Sequence, residues 1–310
     1  MAPEQLQMRS RDYGPWTDLY AVGCMGWTLA TGFPPFGRDL KEALSGHLHS
    51  PPPPFRPDLE LPADFERWLR WLLTKAVESR VSRAAEAADA LLSIAGRPRA
   101  PWRSGWRRDE SPTVRPPLHG VGLGLLGVRS IPLVAREAER DLLWRELVAV
   151  DADGSARAVL LEGASGYGKA RLAHWLAERA HELGAAEVLT AKWGPTGGTG
   201  LEGMLARDLG CEGLLRPEVQ ARVKLVLRRL HADDPQERAL LTEVLAPSEG
   251  ALDENGRRLE PVDARTRRAL LIAHLKRRSL RRPVVLVLDD LQWGFDGLAL
   301  VKELLDDRDR

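Results

Sequence analysis

Apolar positions in the N-terminal third of the chain recur at helical spacing. Residues 19–30 are apolar on nearly every face, with Thr17 placed as an N-cap and Gly32 as a C-terminal stop. A helix that is apolar all round has to be buried, so this segment needs neighbours on all sides. After a proline run at 51–54, which favours a stiff turn, residues 63–73 predict another helix. The pattern predicts a mostly α-helical region over 1–96.

From about residue 131 the pattern changes to strands alternating with helices. Short runs rich in Val, Leu and Ala predict strands at 158–162, 187–193 and 282–289, and the last run is typical of a central parallel strand buried on both faces. The spacing between and after them predicts helices at 171–179, 201–209, 216–231, 235–246, 263–280 and 297–305. This order favours an α/β domain with a parallel sheet and flanking helices over 131–310.

Residues 97–130 separate these two regions and are rich in Pro, Arg and Gly. Trp102 and Trp106 lie among arginines there, and basic residues interleaved with aromatics are able to stack on single-stranded nucleic acid. Because prolines are frequent and periodicity is missing, a disordered interdomain linker is the favoured interpretation.

The composition of the chain limits the kinds of binding partner that it is expected to have. The 310 residues carry a formal net charge of +1, which gives no bulk attraction to nucleic acid or to an anionic membrane. No basic leader with an apolar core opens the chain and no apolar run approaches about 18 residues, so no membrane segment is expected in this window. Cys24 and Cys211 lack metal-ligand spacing and are expected to stay reduced. These features predict a cytoplasmic protein.

Residues 163–170 carry the main candidate chemistry, because they match the phosphate-loop pattern GxxxxGK[ST] everywhere except at the last position. Glycines allow successive N–H groups to turn toward a phosphate, and the following helix adds its positive end. Ala170 stands where a hydroxyl would ligate Mg²⁺, so nucleotide binding is better supported than hydrolysis. A glycine-rich turn that binds nothing is the alternative. The predicted nucleotide-binding residues are Gly163, Ala164, Ser165, Gly166, Tyr167, Gly168, Lys169 and Ala170.

Two carboxylates stand at the end of the predicted strand at 282–289. In open α/β sheets ligands bind at the carboxyl ends of strands, so Asp289 and Asp290 are expected beside the phosphate loop. There Asp289 would hold Mg²⁺ as the metal ligand, and Asp290 would polarise the attacking water as the catalytic residue. A strand followed by a solvated acidic turn is the alternative. The presence of both motifs in this order favours the nucleotide site.

Three segments together resemble the AAA-type ATPase domains of bacterial signalling proteins, the STAND-like class. They are LVARE at 133–137, the loop with Leu172, and LVLDDLQW at 286–293 with Asp296, against the family pattern GRE…GxxGxGKTxL…LVLDDLxWxD. The chain departs from this pattern at Ala135, where the family usually has Gly, and at Ala170, where it has Thr or Ser. The resemblance implies a P-loop NTPase core that binds ATP and Mg²⁺. Since one amphipathic helix follows the second motif, the domain is expected to continue beyond residue 310.

The N-terminal region resembles a serine/threonine protein kinase from its APE motif to its last helices, a partial C-lobe. The segments that carry this resemblance are MAPEQ at 1–5, DYGPWTDLYAVG at 12–23, TGFPPF at 31–36 and KAVESR at 75–80. It implies that Glu4 pairs with Arg80 and that Asp18 braces the catalytic loop. The glycine-rich loop, strand lysine, HRD-type loop and DFG aspartate normally precede the APE motif, so they are expected upstream of Met1.

Combined, the two resemblances predict a fragment of a bacterial serine/threonine protein kinase–ATPase fusion. The first hypothesis is an ATP-binding signalling protein whose P-loop domain is a regulatory switch. A second is a non-catalytic scaffold, in which a degenerate ATPase serves only protein contacts. A third is an active kinase as the parent protein. ATP is the expected ligand, and no nucleic-acid partner is expected.

Overall fold

The computed structural model of the chain describes residues 1–97, 101–107, 133, 135–232, 234–248 and 262–306. The chain divides into two compact units, Met1–Pro101 and Trp102–Arg310. We call them the helical unit and the α/β unit, and each has its own hydrophobic core.

The described residues of the helical unit form helices and connecting turns without a strand. The helices are α1 (Pro3–Leu6), α2 (Pro15–Thr31), α3 (Leu40–His49), α4 (Ala63–Leu72) and α5 (Ala84–Ile94). Their shared core is built on aromatic and leucine side chains that are almost completely buried, among them Tyr20, Trp27, Trp68, Leu69 and Leu72. The Trp68 indole N–H donates to the carbonyl of Ala87 at 2.9 Å, so the large ring is buried with its polar atom satisfied.

Helix α2 begins earlier than the sequence predicts. Thr17 is its third residue and not the N-cap, and its hydroxyl accepts the Gly14 backbone N–H at 3.2 Å, a capping arrangement within the first turn. Gly32 ends the helix in the left-handed conformation, at φ 72°, as predicted. On one face Met25 and Leu29 are 62% and 79% exposed, so the described residues cover α2 only in part.

A buried ion pair joins the start of the helical unit to the segment before α5. Arg80 donates to both carboxylate oxygens of Glu4, at 2.8 and 3.1 Å, and the two side chains are 0% and 3% exposed. The Thr17 hydroxyl donates to the same carboxylate at 2.9 Å. Burial raises the pKa of Glu4, but the hydrogen bonds from Arg80, the backbone and Thr17, together with the Arg80 charge, outweigh burial and hold that pKa below its ordinary value.

Arg80 makes further hydrogen bonds that explain why the charge is tolerated in the interior. Its guanidinium also donates to three backbone carbonyls, those of Thr74, Trp16 and Lys75, at 2.7, 3.0 and 3.2 Å. A buried ion pair is stable only when its remaining donors are satisfied in this way.

We expect Glu4→Ala to lower the free energy of unfolding of the helical unit by about 3–5 kcal/mol, because it leaves the Arg80 charge buried without its partner. Urea unfolding followed by circular dichroism measures this loss. Glu60→Ala is the matched control, since Glu60 is exposed. Equal stabilities for the two variants would contradict a structural role for the pair.

The α/β unit contains seven described helices and two strands. They are α6 (Glu137–Asp153), α7 (Lys169–Glu182), β1 (Glu187–Lys192), α8 (Gly200–Leu209), α9 (Arg216–Arg229), α10 (Pro235–Leu245), α11 (Ala264–Ser279), β2 (Val284–Asp289) and α12 (Phe295–Asp306). Asp234 caps α10 and Asp263 caps α11, each through a carboxylate that accepts two backbone N–H groups. The predicted strands at 187–193 and 282–289 and the predicted helices lie within a few residues of these bounds.

Strands β1 and β2 pair in parallel, with a register that runs from Glu187 opposite Val284 to Lys192 opposite Asp289. A parallel pair needs a long crossover, and the residues between the two strands supply it as helices. Helices α7, α8 and α11 pack against the strands. The core between them is formed mainly by leucines, including Leu189, Leu205, Leu209, Leu227, Leu271 and Leu300.

An internal ionic cluster ties this sheet to α8 and α11. The His274 ring nitrogen Nε2 and an Asp208 carboxylate oxygen are 2.6 Å apart, and Arg278 contacts the other Asp208 oxygen at 3.1 Å. Arg278 also reaches Glu187 of β1 at 3.4 Å. Burial raises the pKa of Asp208, but the hydrogen bond with His274 and the charges of Arg278 and His274 together outweigh burial. They hold that pKa below its ordinary value, so the carboxylate is kept ionised.

The predicted strand at 158–162 is wrong. These residues have no strand partner among the residues that the structure describes, and the side chains of Val159 and Leu160 are exposed, Leu160 by 74%. An apolar run of this length is typical of a strand, yet a strand forms only where another strand completes its hydrogen bonds. The two described strands pair with each other, so the described sheet has two strands.

The predicted linker at 97–130 is wrong for residues 102–107, which we call the strap. The strap packs on the α/β unit through two pairs of tryptophan rings, Trp102 on Trp144 of α6 and Trp106 on Trp175 of α7, with centroids 6.1 and 5.0 Å apart. Both pairs are edge-to-face, the geometry that aromatic quadrupoles favour. Residues 108–130 of the predicted linker lie outside the described residues.

Polar contacts hold the strap in register on the same two helices. The Trp106 indole N–H donates to Asp141 at 2.7 Å, and Arg103 pairs with Asp151 at 2.5 Å. From α7, Arg179 donates to the Trp106 carbonyl at 2.7 Å. The tryptophans that suggested stacking on nucleic acid are thus used in packing within the protein.

We expect Trp106→Ala to destabilise the α/β unit by about 2 kcal/mol, less than a fully buried tryptophan would cost, because the ring is partly exposed. Urea unfolding measures the change, and hydrogen exchange should show faster exchange in α6 and α7. Trp293→Ala is the control, as that tryptophan is about half exposed. Unchanged exchange in both helices would show that the strap does not brace them.

Candidate functional site

The loop at 163–168 takes the backbone conformations that its glycines allow. Gly166 and Gly168 have φ of 83° and 81°, in the left-handed region that other residues avoid. A Cβ added at either position would meet no atom within 4 Å, so packing does not explain these glycines. Their requirement is conformational, and the loop surface above them is open. This is the geometry expected of a loop whose backbone approaches a ligand closely.

Lys169 begins α7 and folds back over the loop. Its ammonium donates to the carbonyls of Gly163 and Ala164 at 2.8 and 3.0 Å. The unpaired N–H groups of the first helical turn lie at the same place, and together with the ammonium they favour an anion. Ala170, the next residue, is exposed and presents a methyl group where the motif has a hydroxyl.

The residues that carry the opening signature of the family resemblance also reach this loop. Arg136 donates to the Tyr167 carbonyl at 3.3 Å and pairs with Glu139 at 2.9 Å. Ala135 has a φ of 62°, in the left-handed region. A glycine would adopt this conformation without steric cost, which gives a physical reason for Gly at this position in the family pattern.

The two carboxylates at the end of β2 contact a lysine that sequence reasoning missed. Lys192 ends β1 directly opposite Asp289, and its ammonium lies 3.3 Å from the Asp289 carboxylate and 3.6 Å from that of Asp290. The hydrogen bond with Asp289, and then the two negative charges, raise the pKa of Lys192. Asp290 has a φ of 58°, a strained conformation of the kind found at functional sites.

The donor set does not complete an Mg²⁺ site. Asp289 and Asp290 offer carboxylate oxygens, which suit Mg²⁺, but Ala170 offers no oxygen and the Lys192 cation is bound to both carboxylates. In the part of the chain that the structure describes, no cluster of three or more His, Cys, Asp or Glu residues is arranged to hold a metal ion.

Trp193, which sequence reasoning also missed as a site residue, positions the turn after β2. Its backbone N–H donates to the Asp289 carbonyl at 3.1 Å, which extends the strand pairing by one residue. Its buried ring packs on Gly294 and Gly297, where an added Cβ would lie 2.5 and 2.7 Å from ring atoms. The ring therefore fixes how the chain leaves the two aspartates.

The remaining predicted site residues lie in the helical unit. Glu4 and Arg80 are in contact, as the kinase resemblance implies, and Asp18 is exposed in the first turn of α2. A separate cleft between α8, α11 and α12 holds only about 30 Å³, and its lining includes Glu202, Arg267 and Asp296 but no residue of the phosphate loop. That volume admits a water molecule or two and excludes a nucleotide.

Comparison with known proteins identifies the α/β unit. Residues 132–310, more than half of the chain, match the AAA ATPase domain family. The chain belongs to this family, which indicates a nucleotide-binding P-loop NTPase domain with ATP as ligand. No solved structure matches the chain.

The chain is also similar to serine/threonine-protein kinase PknA from Mycobacterium tuberculosis and from Mycobacterium bovis. In both cases it is 32% identical over 119 residues, which are 38% of this chain and 24% of the relative. The chain therefore spans about a quarter of the length of the curated relatives it matches. None of the described helices has the length and apolar character that crossing a membrane requires.

We expect Gly294→Ala to destabilise the α/β unit by about 1–3 kcal/mol, because the new methyl group overlaps the buried Trp193 ring. Thermal or urea unfolding of the full chain measures the effect. The double variant Gly294→Ala with Trp193→Phe should cost less than the sum of the two single changes, since the smaller ring gives the methyl group room. Strict additivity would mean that the two residues do not meet.

Proposed function

We propose that the chain binds ATP at the phosphate loop, residues 163–170, and that this binding serves as a regulatory switch in a signalling protein. The observation that carries the proposal is the loop itself. It is an open, glycine-dependent turn at the N-terminus of α7, with the Lys169 ammonium folded over it. Membership of the AAA ATPase domain family supports ATP as the nucleotide.

The contacts of Lys169 suggest how a nucleotide would be received. Its ammonium is held by two loop carbonyls, and a phosphate offers it a full negative charge in their place. Transfer of the ammonium from carbonyls to phosphate needs only side-chain rotation, because the residue is at the first position of α7. The loop then has both its N–H groups and its lysine directed at one anion.

Hydrolysis is a separate proposal with weaker support. Asp290 is the candidate to polarise water and Asp289 the candidate Mg²⁺ ligand, but both contact Lys192 and the Ala170 methyl group cannot complete the metal site. This combination favours a nucleotide-binding switch over a fast ATPase. A scaffold that binds no nucleotide is the competing function.

We further propose that the helical unit is part of a kinase C-lobe in a serine/threonine protein kinase–ATPase fusion of bacterial origin. The similarity to PknA supports this proposal, and so does the buried Glu4–Arg80 pair. The exposed apolar face of α2, with Met25 and Leu29, is a surface that another segment of a kinase lobe would cover. Kinase activity of the whole protein is the second candidate function.

We expect isothermal titration calorimetry of the full chain with ATP to show binding, and Lys169→Ala to weaken it by about 10–100-fold. This range corresponds to the roughly 1.5–3 kcal/mol of a charge-assisted hydrogen bond. Lys224→Ala is the matched control, because Lys224 is an exposed lysine on α9. The absence of heat from folded, unmutated protein would favour the scaffold.

A further inference from the structure

We propose that Lys192 is a built-in cation that takes the place of Mg²⁺ beside the Asp289 and Asp290 carboxylates, so that the chain binds nucleotide with little dependence on divalent metal. The inference rests on the proposed ATP site and states what kind of ATP site it is. Three observations on different elements carry it, one each on β1, β2 and α7.

The first observation is that the position of Lys192 is fixed by the backbone. Lys192 and Asp289 are directly opposite in the parallel ladder, so their Cα atoms are neighbours however the side chains move. The ammonium lies within 4 Å of both carboxylates, while the side chain remains 64% exposed. An exposed ion pair contributes little to folding, so stability alone gives no strong reason for a lysine here.

The second observation is the charge at the end of β2. Two adjacent carboxylates place a charge of −2 at the end of β2, where the proposed ATP site would hold the phosphates, and repulsion between them and a phosphate would oppose binding. Mg²⁺ usually relieves this repulsion by bridging carboxylates and phosphates. One lysine ammonium brings the local charge from −2 to −1 without any ion from solution.

The third observation is the methyl group of Ala170. Mg²⁺ requires near-octahedral oxygen ligands, and loss of the hydroxyl removes one ligand on the loop side. On the carboxylate side, a metal ion has to displace the Lys192 ammonium. The chain thus lacks the hydroxyl ligand at position 170 and has the Lys192 ammonium at the two carboxylates that would be the remaining ligands. A site without a metal ion needs another cation, which explains why the two features occur together.

Packing at this end of β1 is provided by Trp193 and not by Lys192. The neighbouring tryptophan makes the buried contacts at this end of β1, whereas the Lys192 side chain contacts only solvent-accessible carboxylates among the contacts described for it. Lys192→Met, which keeps the aliphatic stem and removes the charge, is therefore expected to fold normally.

The test is a fluorescence titration of the full chain with mant-ATP, in EDTA and in excess Mg²⁺. For the unmutated chain we expect dissociation constants within about threefold of each other in the two buffers. For Lys192→Met we expect binding in EDTA to weaken by about tenfold and Mg²⁺ to restore most of it, because the metal then reaches free carboxylates. Lys192→Arg, which keeps the charge, should recover part of the binding in EDTA that Lys192→Met loses. Lys224→Met, an exposed lysine elsewhere, should behave like the unmutated chain.

A second readout does not depend on nucleotide chemistry. Mn²⁺, a probe with Mg²⁺-like ligand preferences, is followed by the electron paramagnetic resonance signal of the free ion. In the absence of nucleotide, the double variant Ala170→Thr with Lys192→Met should bind Mn²⁺ about tenfold more tightly than the unmutated chain. Tight Mn²⁺ binding by the unmutated chain would overturn the inference.

The remaining outcomes distinguish a failure of this inference from a failure of the proposed ATP site. If the unmutated chain binds mant-ATP only with Mg²⁺, or if Lys192→Met titrates like Lys224→Met in both buffers, the inference is wrong while the ATP site stands. If the unmutated chain binds mant-ATP in neither buffer, the proposed function itself fails, and the inference with it.

Discussion

The parallel pairing of β1 with β2 is the constraint on which the α/β unit depends. Its register sets Lys192 opposite Asp289, and one hydrogen bond beyond the strands aligns Trp193 with the same aspartate. Helix α7, which carries the phosphate-loop lysine, packs against both strands. The ionic cluster around Asp208 then fastens β1 to α8 and α11 from the opposite end of the strand. A shift of this register by one residue would turn Lys192 to the other face of the sheet and separate the charges at the site.

The sequence predicts those parts of the fold that depend on local patterns. The segment at 282–289 is rich in β-branched residues and Leu, and it becomes β2 because it also has a strand to pair with. The segment at 158–162 has a similar composition but no partner among the described residues, so the same pattern gives no strand. Helix bounds were predictable where capping aspartates and glycines mark them, as at Gly32. Thr17 was misplaced because its hydroxyl accepts from Gly14 as the third helical residue.

In the candidate site, too, some features were predictable from the sequence and others were not. The phosphate loop is a contiguous motif, and the Glu4–Arg80 pair follows from resemblance to a family, so both were predictable. Lys192 was not, because its role arises from a register between segments about ninety residues apart, which no local pattern encodes. The Gly294 turn likewise depends on the ring of Trp193 across the sheet. Such pairings become visible only once the two strands are aligned.

Because it includes the strap, the compact α/β unit is longer than the part of the chain that matches the AAA ATPase domain family. The AAA ATPase similarity begins at residue 132, whereas the compact unit begins at Trp102. A protein shortened to the region of similarity would expose the rings of Trp144 and Trp175 and leave Asp141 without its indole donor. Newly exposed tryptophan faces promote association between molecules. The stretch of chain that matches the family and the stretch that packs as one unit are therefore not the same.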